Sequence, residues 1–214
     1  MGIEAFNNLP QEKRDSIIRA GLLEFTGKSY SDAGTDAITK LCKISKGILF
    51  HYFSSKKNFY LFLLEHSMNL LTVQSDIPEA ASFYQLIFES MNRKLELYQR
   101  YPLEIHFVNT AAKEASRQIS SEKNSLFARY MTGVQRHSFL VIHEAVQLLE
   151  LNSDISSTAL EKALTMYINT IITGYLEQYK DCPELFFQNA VTIQSEIREY
   201  LDLFLRGNVK EDTL

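Results

Sequence analysis

Apolar residues recur at helical spacing along most of the chain. Between Pro10 and Phe25, the residues Ile17, Ile18, Leu22 and Phe25 share one stripe, with Ala20 and Gly21 leaving room for a close neighbour. From Thr35 to Leu41, the positions Ala37, Ile38 and Leu41 follow the i, i+3, i+4 pattern of a helix with one buried face. A turn at Cys42-Lys43-Ile44 leads to Ser45, whose hydroxyl suits an N-cap, and a second short helix carries Ile48, Leu49 and, near its end, Phe53. Ser55 caps a long helix to about Ser75, with Phe59, Phe62, Leu63, His66 and Leu70 on one face. Tyr60, Leu61 and Leu64 lie off that face, so this helix is expected to be largely buried. Asp76-Ile77-Pro78 breaks the chain, and Pro78 or Glu79 opens a helix to about Arg100. Pro102 suits the first turn of the next, which carries Ile105, Phe107, Val108 and Ala111. A long helix follows the Ser120–Glu122 boundary to about Leu149, and Ser156 or Ser157 caps another reaching Tyr179. After Cys182-Pro183 a last helix runs to Arg206, with Gly207 as its carboxyl cap. The expected architecture is all-α, with about nine helices.

Two of these elements are short and separated by about three residues, which is the sequence form of a helix-turn-helix. Such a motif lays the amino end of its second helix in a DNA major groove. Net charge is −4 over 214 residues, but its distribution is uneven. Residues 1–60 hold nine Lys and Arg against six Asp and Glu, and the remainder holds 13 against 20. A basic head on an acidic body fits a nucleic-acid face at one end. Only eight glycines and four prolines interrupt the chain, which favours long helices. No run of 18 apolar residues provides a membrane span, the start MGIEAFNNLPQEKR has no signal-peptide core, and Phe6 stands where a myristoylation motif needs Ser or Thr. Cys42 and Cys182 are too few for a disulfide framework or zinc site. The expectation is a cytoplasmic protein without a cofactor or metal.

The segment ISKGILFHYFSSKKNFY resembles the signature of TetR-family (tetracycline-repressor-like) transcriptional regulators. LPQEKRDSIIRAGLLEF is similar to that family's first helix, so the resemblance covers roughly residues 9–65; the rest matches in helical character and length. It implies a DNA-binding domain over 1–54 and a ligand-binding and dimerisation domain over 55–214. It also implies a repressor that binds a palindromic operator on double-stranded DNA as a homodimer and is released by a small-molecule effector. The alternative is a helical architectural or interaction protein without an effector. Enzyme signatures are poor: His143-Glu144 lacks a second histidine four residues after the first, and no glycine-rich phosphate loop or Gly-x-Ser-x-Gly elbow is present.

Lys46 opens the second helix of the motif and precedes Gly47, a residue that costs about 1 kcal/mol in a helix relative to alanine. A glycine at a helix start permits close approach of a phosphate or base edge. Lys56 and Lys57 lie in the first turn of their helix, where positive charge opposes the helix dipole and a docked phosphate would reverse the penalty. The resemblance adds His51 and Tyr52 as DNA contacts. With Thr35, Ser45 and Ile48 these make up the expected DNA-binding set. Three departures bear on base contacts. Phe50 lacks the hydroxyl of the family's usual tyrosine, and Ile48 offers a thymine methyl only apolar contact. Lys43 replaces the usual turn glycine, so the turn is expected to be slightly strained or of another type.

In the last helix Phe186, Ala190, Ile193, Ile197, Tyr200 and Phe204 step by four and three, a heptad-like seam. By itself such a seam is more often internal core. The resemblance turns it, together with Ile168, Ile172 and Tyr175, into the expected dimer interface. The effector candidates are Phe62, His66, Phe83, Phe88, Phe107, Tyr130, His137 and Tyr167, and the scarcity of charge on the apolar stripes points to a hydrophobic or amphipathic ligand.

Overall fold

A computed structural model describes residues 2–72, 77–179 and 183–210, without the side chains of Leu176, Pro183 and Glu184. Eleven helices are present among the described residues: α1 (Gly2–Asn7), α2 (Gln11–Gly27), α3 (Thr35–Leu41), α4 (Lys46–Phe53), α5 (Lys56–Leu71), α6 (Phe83–Arg100), α7 (Pro102–Lys113), α8 (Ser120–Gln147), α9 (Ser157–Gln178), α10 (Pro183–Gln188) and α11 (Ala190–Leu205). The two beyond the expected nine have separate causes. Helix α1 precedes the first expected helix, and it is held by Phe6, which is fully buried. The expected last helix divides at Asn189, whose φ of −95° and ψ of 9° interrupt the helical path. Helix α5 ends at Leu71 rather than near Ser75, and α6 begins at Phe83 rather than at Pro78 or Glu79. Ser75, Asp76 and Cys182 lie outside the described residues.

The chain divides into two compact units, residues 1–72 with 97–133 and residues 73–96 with 134–214. The expected boundary at residue 54 is therefore not the boundary of compactness. In the first unit, Gly21 of α2 faces α5 so closely that a Cβ there would lie 2.6 Å from both Leu63 Cδ1 and Phe59 Cζ. Around this contact Ile17, Leu22, Phe25, Ile38, Leu49, Phe59, Leu63 and Phe107 form the core. Lys123, buried at the start of α8, donates to the carbonyls of Ala111 and Glu114 and so satisfies the end of α7.

The second unit packs Phe83, Leu86 and Ile87 of α6 with Val141, Ala145, Leu164, Ile193, Ile197, Leu201 and Leu205. The α6 and α11 helices are also joined by Tyr84 donating to Asp202, by Gln194 donating to Asn92, and by Arg198 over the Tyr84 ring at 4.3 Å. Ile193 and Ile197 are core residues of this unit, so at these two positions the seam is internal. Phe186 lies on α10 and not in one continuous helix with the rest. Ile168 and Tyr175 are buried, Ile172, Ala190 and Phe204 half-buried, and Tyr200 exposed. No helix among the described residues is long and apolar enough to cross a membrane.

Candidate nucleic-acid interface

Helices α3 and α4 are joined by the four residues 42–45. The turn is closed by Cys42 N–H donating to Ile38 O and by Ile44 N–H donating to Thr39 O, both at 3.1 Å. Lys43 has a φ of 53°, the left-handed region that the family's glycine enters freely. The strain expected at this residue is therefore present in its backbone. Ser45 then caps α4, its Oγ accepting from Ile48 N–H at 3.2 Å. Ser54, with φ 63°, ends α4, and Ser55 Oγ caps α5 by accepting from Asn58 N–H at 3.0 Å.

Leu49 and Phe53 anchor α4 in the core, leaving Lys46, Gly47, Ile48 and His51 exposed along the opposite side. A Cβ at Gly47 would meet nothing nearer than Ser45 Oγ at 3.8 Å, so packing within the protein does not require glycine there. Phe50 is half-buried. On α3 the buried residues are Thr35, Ile38 and Thr39, while Ala37 is exposed and Leu41 is 56% exposed. The apolar stripe expected through Ala37 and Leu41 is thus turned toward solvent, because α2 covers the Thr35–Thr39 side. Thr35 is consequently recessed from the exposed set.

Lys46, Lys56, Lys57 and Tyr52 of the expected set have partners of their own. Lys46 Nζ lies 2.9 Å from Asp36 Oδ1. Lys56 Nζ donates to Ser31 O at 3.2 Å and sits 4.8 Å above the Tyr30 ring. Burial lowers its pKa, against the opposing pull of Asp32 and Glu24. Lys57 Nζ is 2.6 Å from Glu122 Oε1 of α8. Tyr52 is half-buried, its ring edge-on to Phe6 at 5.9 Å and 5.7 Å from that of His51.

Sequence patterning missed Lys40 and Lys43, two exposed cations flanking the turn that make no ion pair or side-chain hydrogen bond among the described residues. It also missed Glu24, whose carboxylate accepts from Gly34 N–H and Lys28 Nζ, both at 2.8 Å, and so fixes the entry to α3. Burial opposes ionisation of Glu24, yet these two partners hold its pKa below the usual value. The pair with Lys28 is an i,i+4 spacing at the end of α2, whereas the contact with Gly34 depends on how the loop after α2 returns.

The expected effector residues divide between the two units. Phe62, His66, Phe107 and Tyr130 belong to the first unit, and Phe83, Phe88, His137 and Tyr167 to the second. Phe107 and Phe83 are core. Tyr167 stacks on Phe204 at 4.8 Å and donates to Tyr200 O. Phe62 alone of the eight lines an open groove of about 560 Å³ beside Ile3, Tyr52, Leu61, Leu126 and Arg129.

Residues 17–61 match the family model of bacterial regulatory proteins, tetR family. The chain is 48% identical over 50 residues to the transcriptional regulator AcuR of Cereibacter sphaeroides, a match covering 23% of each protein. It is 30% identical over 120 residues to the uncharacterized HTH-type transcriptional regulator YuxN of Bacillus subtilis, covering 52% of this chain and 38% of that one. Both matches therefore span well under two thirds of those relatives. Its fold is similar to the crystal structure of a TetR family transcriptional regulator from Chloroflexus aurantiacus, with TM-score 0.60, 18% identity and coverage of 97% and 98%.

Proposed function

The chain belongs to the TetR family of transcriptional regulators, and we propose that it acts as a repressor that binds an operator as a homodimer and releases it on binding a small molecule. The observation that carries the DNA-binding part is the division of α4: Leu49 and Phe53 face inward, Lys46, Gly47, Ile48 and His51 outward. The amino end of α4 would enter the major groove, with Ile48 meeting a thymine methyl and Lys40, Lys43 and Lys46 meeting phosphates. Lys46 would exchange Asp36 for a phosphate, a small cost because both side chains are exposed. Lys56, engaged with Ser31 and Tyr30, serves better to hold the loop before α3 in place than to reach DNA.

For the dimer, α9 and α11 offer the outward side chains Met166, Val191 and Leu203, which are 73%, 79% and 62% exposed, and Tyr200 of α11 is exposed as well. Large apolar side chains so exposed favour a partner surface. Two copies related by a two-fold axis would present two α4 helices to an inverted repeat. An effector acts only through unequal affinity for the DNA-binding and non-binding states, so effector and operator affinities should fall by equal factors in each other's presence. Helices α6 and α8 contribute residues to both units and give a continuous backbone route for such coupling.

The test is selection of bound duplexes from a random library, followed by footprinting of the enriched sequence. An inverted repeat is expected. Lys43→Ala and Lys46→Ala should each flatten the plot of log affinity against log salt by about 0.9. Recovery of no preferred sequence would leave a non-specific DNA binder as the better description.

A further inference from the structure

Between Gly34 and Ser55 the chain carries three lysines, Lys40, Lys43 and Lys46, and a single acid, Asp36. Asp36 lies in the first turn of α3, and its carboxylate reaches across to the first residue of α4. Its Oδ1 and Oδ2 are 2.9 and 3.1 Å from Lys46 Nζ. The two side chains are 80% and 50% exposed, the acid the more so. Lys40 follows Asp36 by one helical turn, yet no ion pair joins them among the described residues. The acid therefore stands in water beside the end of α4 that presents Lys46, Gly47 and Ile48.

Stability gives little reason for an acid at this point. An ion pair between two exposed side chains contributes little, and the helix dipole adds only a small gain for an acid in the first turn. On DNA the cost is plain, because phosphates repel a carboxylate. What a carboxylate can gain there is a hydrogen bond donated by a base. Two groups donate in the major groove, the amino groups of cytosine and adenine. Adenine sets the acceptor N7 beside its amino group, which opposes the second carboxylate oxygen, whereas cytosine has a C–H on that side. Cytosine is the match.

We infer that Asp36 is a specificity-determining residue: with Lys46 turned to a phosphate, the Asp36 carboxylate accepts from the amino group of a cytosine in each operator half-site. This rests on the reading of the chain as a sequence-specific DNA-binding repressor, and it adds a base-reading role to α3. Thymine is rejected at that position because its O4 accepts, as the carboxylate does, and two acceptors would face each other. Ile48, which suits a thymine methyl, reads a different base pair. In sequence Asp36 shows only as a charge of the wrong sign on a basic head.

The experiment takes the duplex enriched by selection from a random library, changes each base pair in turn, and measures affinity for the full chain and for Asp36→Ala and Asp36→Asn. Both variants should keep the helical content and melting temperature of the parent, since the side chain is exposed. The parent should show one C·G pair in each half-site where a change to T·A weakens binding at least about tenfold. Asp36→Ala should bind the two duplexes within about twofold of each other, having neither the acceptor nor the repulsion. Asp36→Asn, whose amide both donates and accepts, should also tolerate thymine. A tenfold preference that survives in either variant would overturn the inference, even if affinity for random duplex rises. The acid would then act only by occupying Lys46. Sequence-specific binding without any such cytosine position would defeat the inference and leave the regulator reading standing. Failure to bind any duplex would defeat that reading, and the inference with it.

Discussion

Lys57 in the first turn of α5 and Glu122 in the first turn of α8 form an ion pair with Nζ and Oε1 2.6 Å apart. The pairing sets an acid of the body against a lysine expected at the DNA. Lys57 holds the Glu122 carboxyl below its usual pKa, so the acid is ionised at neutral pH. Glu122 is therefore a competitor for any phosphate that approaches Lys57. Glu122→Gln should tighten operator binding a few-fold and steepen its salt dependence, with folding stability little changed. Unaltered affinity and salt slope would mean that Lys57 stands clear of the DNA.

Helix α1 is built onto the end of α4. A Cβ on Gly2 would lie 2.6 Å from Tyr52 O and 2.7 Å from His51 O, and Phe6 packs on Phe53 and Phe62 with centroids 4.9 and 5.3 Å apart. Gly2→Val should lift α1 from this end and lower operator affinity, because His51 and Tyr52 then lose their backing. Phe6→Ala removes a fully buried ring and should cost about 3–5 kcal/mol in denaturant unfolding. A loss under about 1 kcal/mol would show that α1 is not docked in solution.

Substitutions on α11 should separate core from interface. Ile197 is buried within its own unit, so Ile197→Asp should unfold that unit whatever the state of assembly. Leu203 and, on α9, Met166 are exposed, so Leu203→Asp and Met166→Asp should yield helical monomers in sedimentation and circular dichroism. Helical dimers from both variants would place the interface elsewhere.

His66 ties stability to pH. Burial lowers its pKa, with Glu104 and Asp15 pulling the other way, and its ring stacks on Phe62 at 6.0 Å. The unfolded chain therefore takes up this proton first, near the ordinary histidine pKa of about 6.5. The contribution of His66 is present above that pH and is lost as pH falls through the lower folded value. The melting temperature should drop as pH falls below about 6.5, and His66→Gln should make the drop smaller. An identical drop in the variant would assign the acid sensitivity to other groups.

What the sequence by itself determined lies within one or two helical turns of each residue. Ser45 and Ser55 accept from the amide three residues on, Pro102 opens α7, and α3 spans Thr35–Leu41, because caps and helix starts are settled by near neighbours along the chain. The stripe through Ile17, Ile18, Leu22 and Phe25 was legible for the same reason. Tertiary structure alone decided which side of each element was covered and which charge met which. Ala37 and Leu41 face solvent although their spacing suits a core, while Thr35 and Thr39 are buried. Lys46, Lys56 and Lys57 look alike in sequence, yet they meet Asp36, Ser31 with Tyr30, and Glu122 respectively. Ile197 and Leu203 are both apolar residues of one helix, one in the core and one outside it. Burial and ion pairing are sums over neighbours far away in sequence, and periodicity within a helix fixes the sides it has but not the partner each side receives.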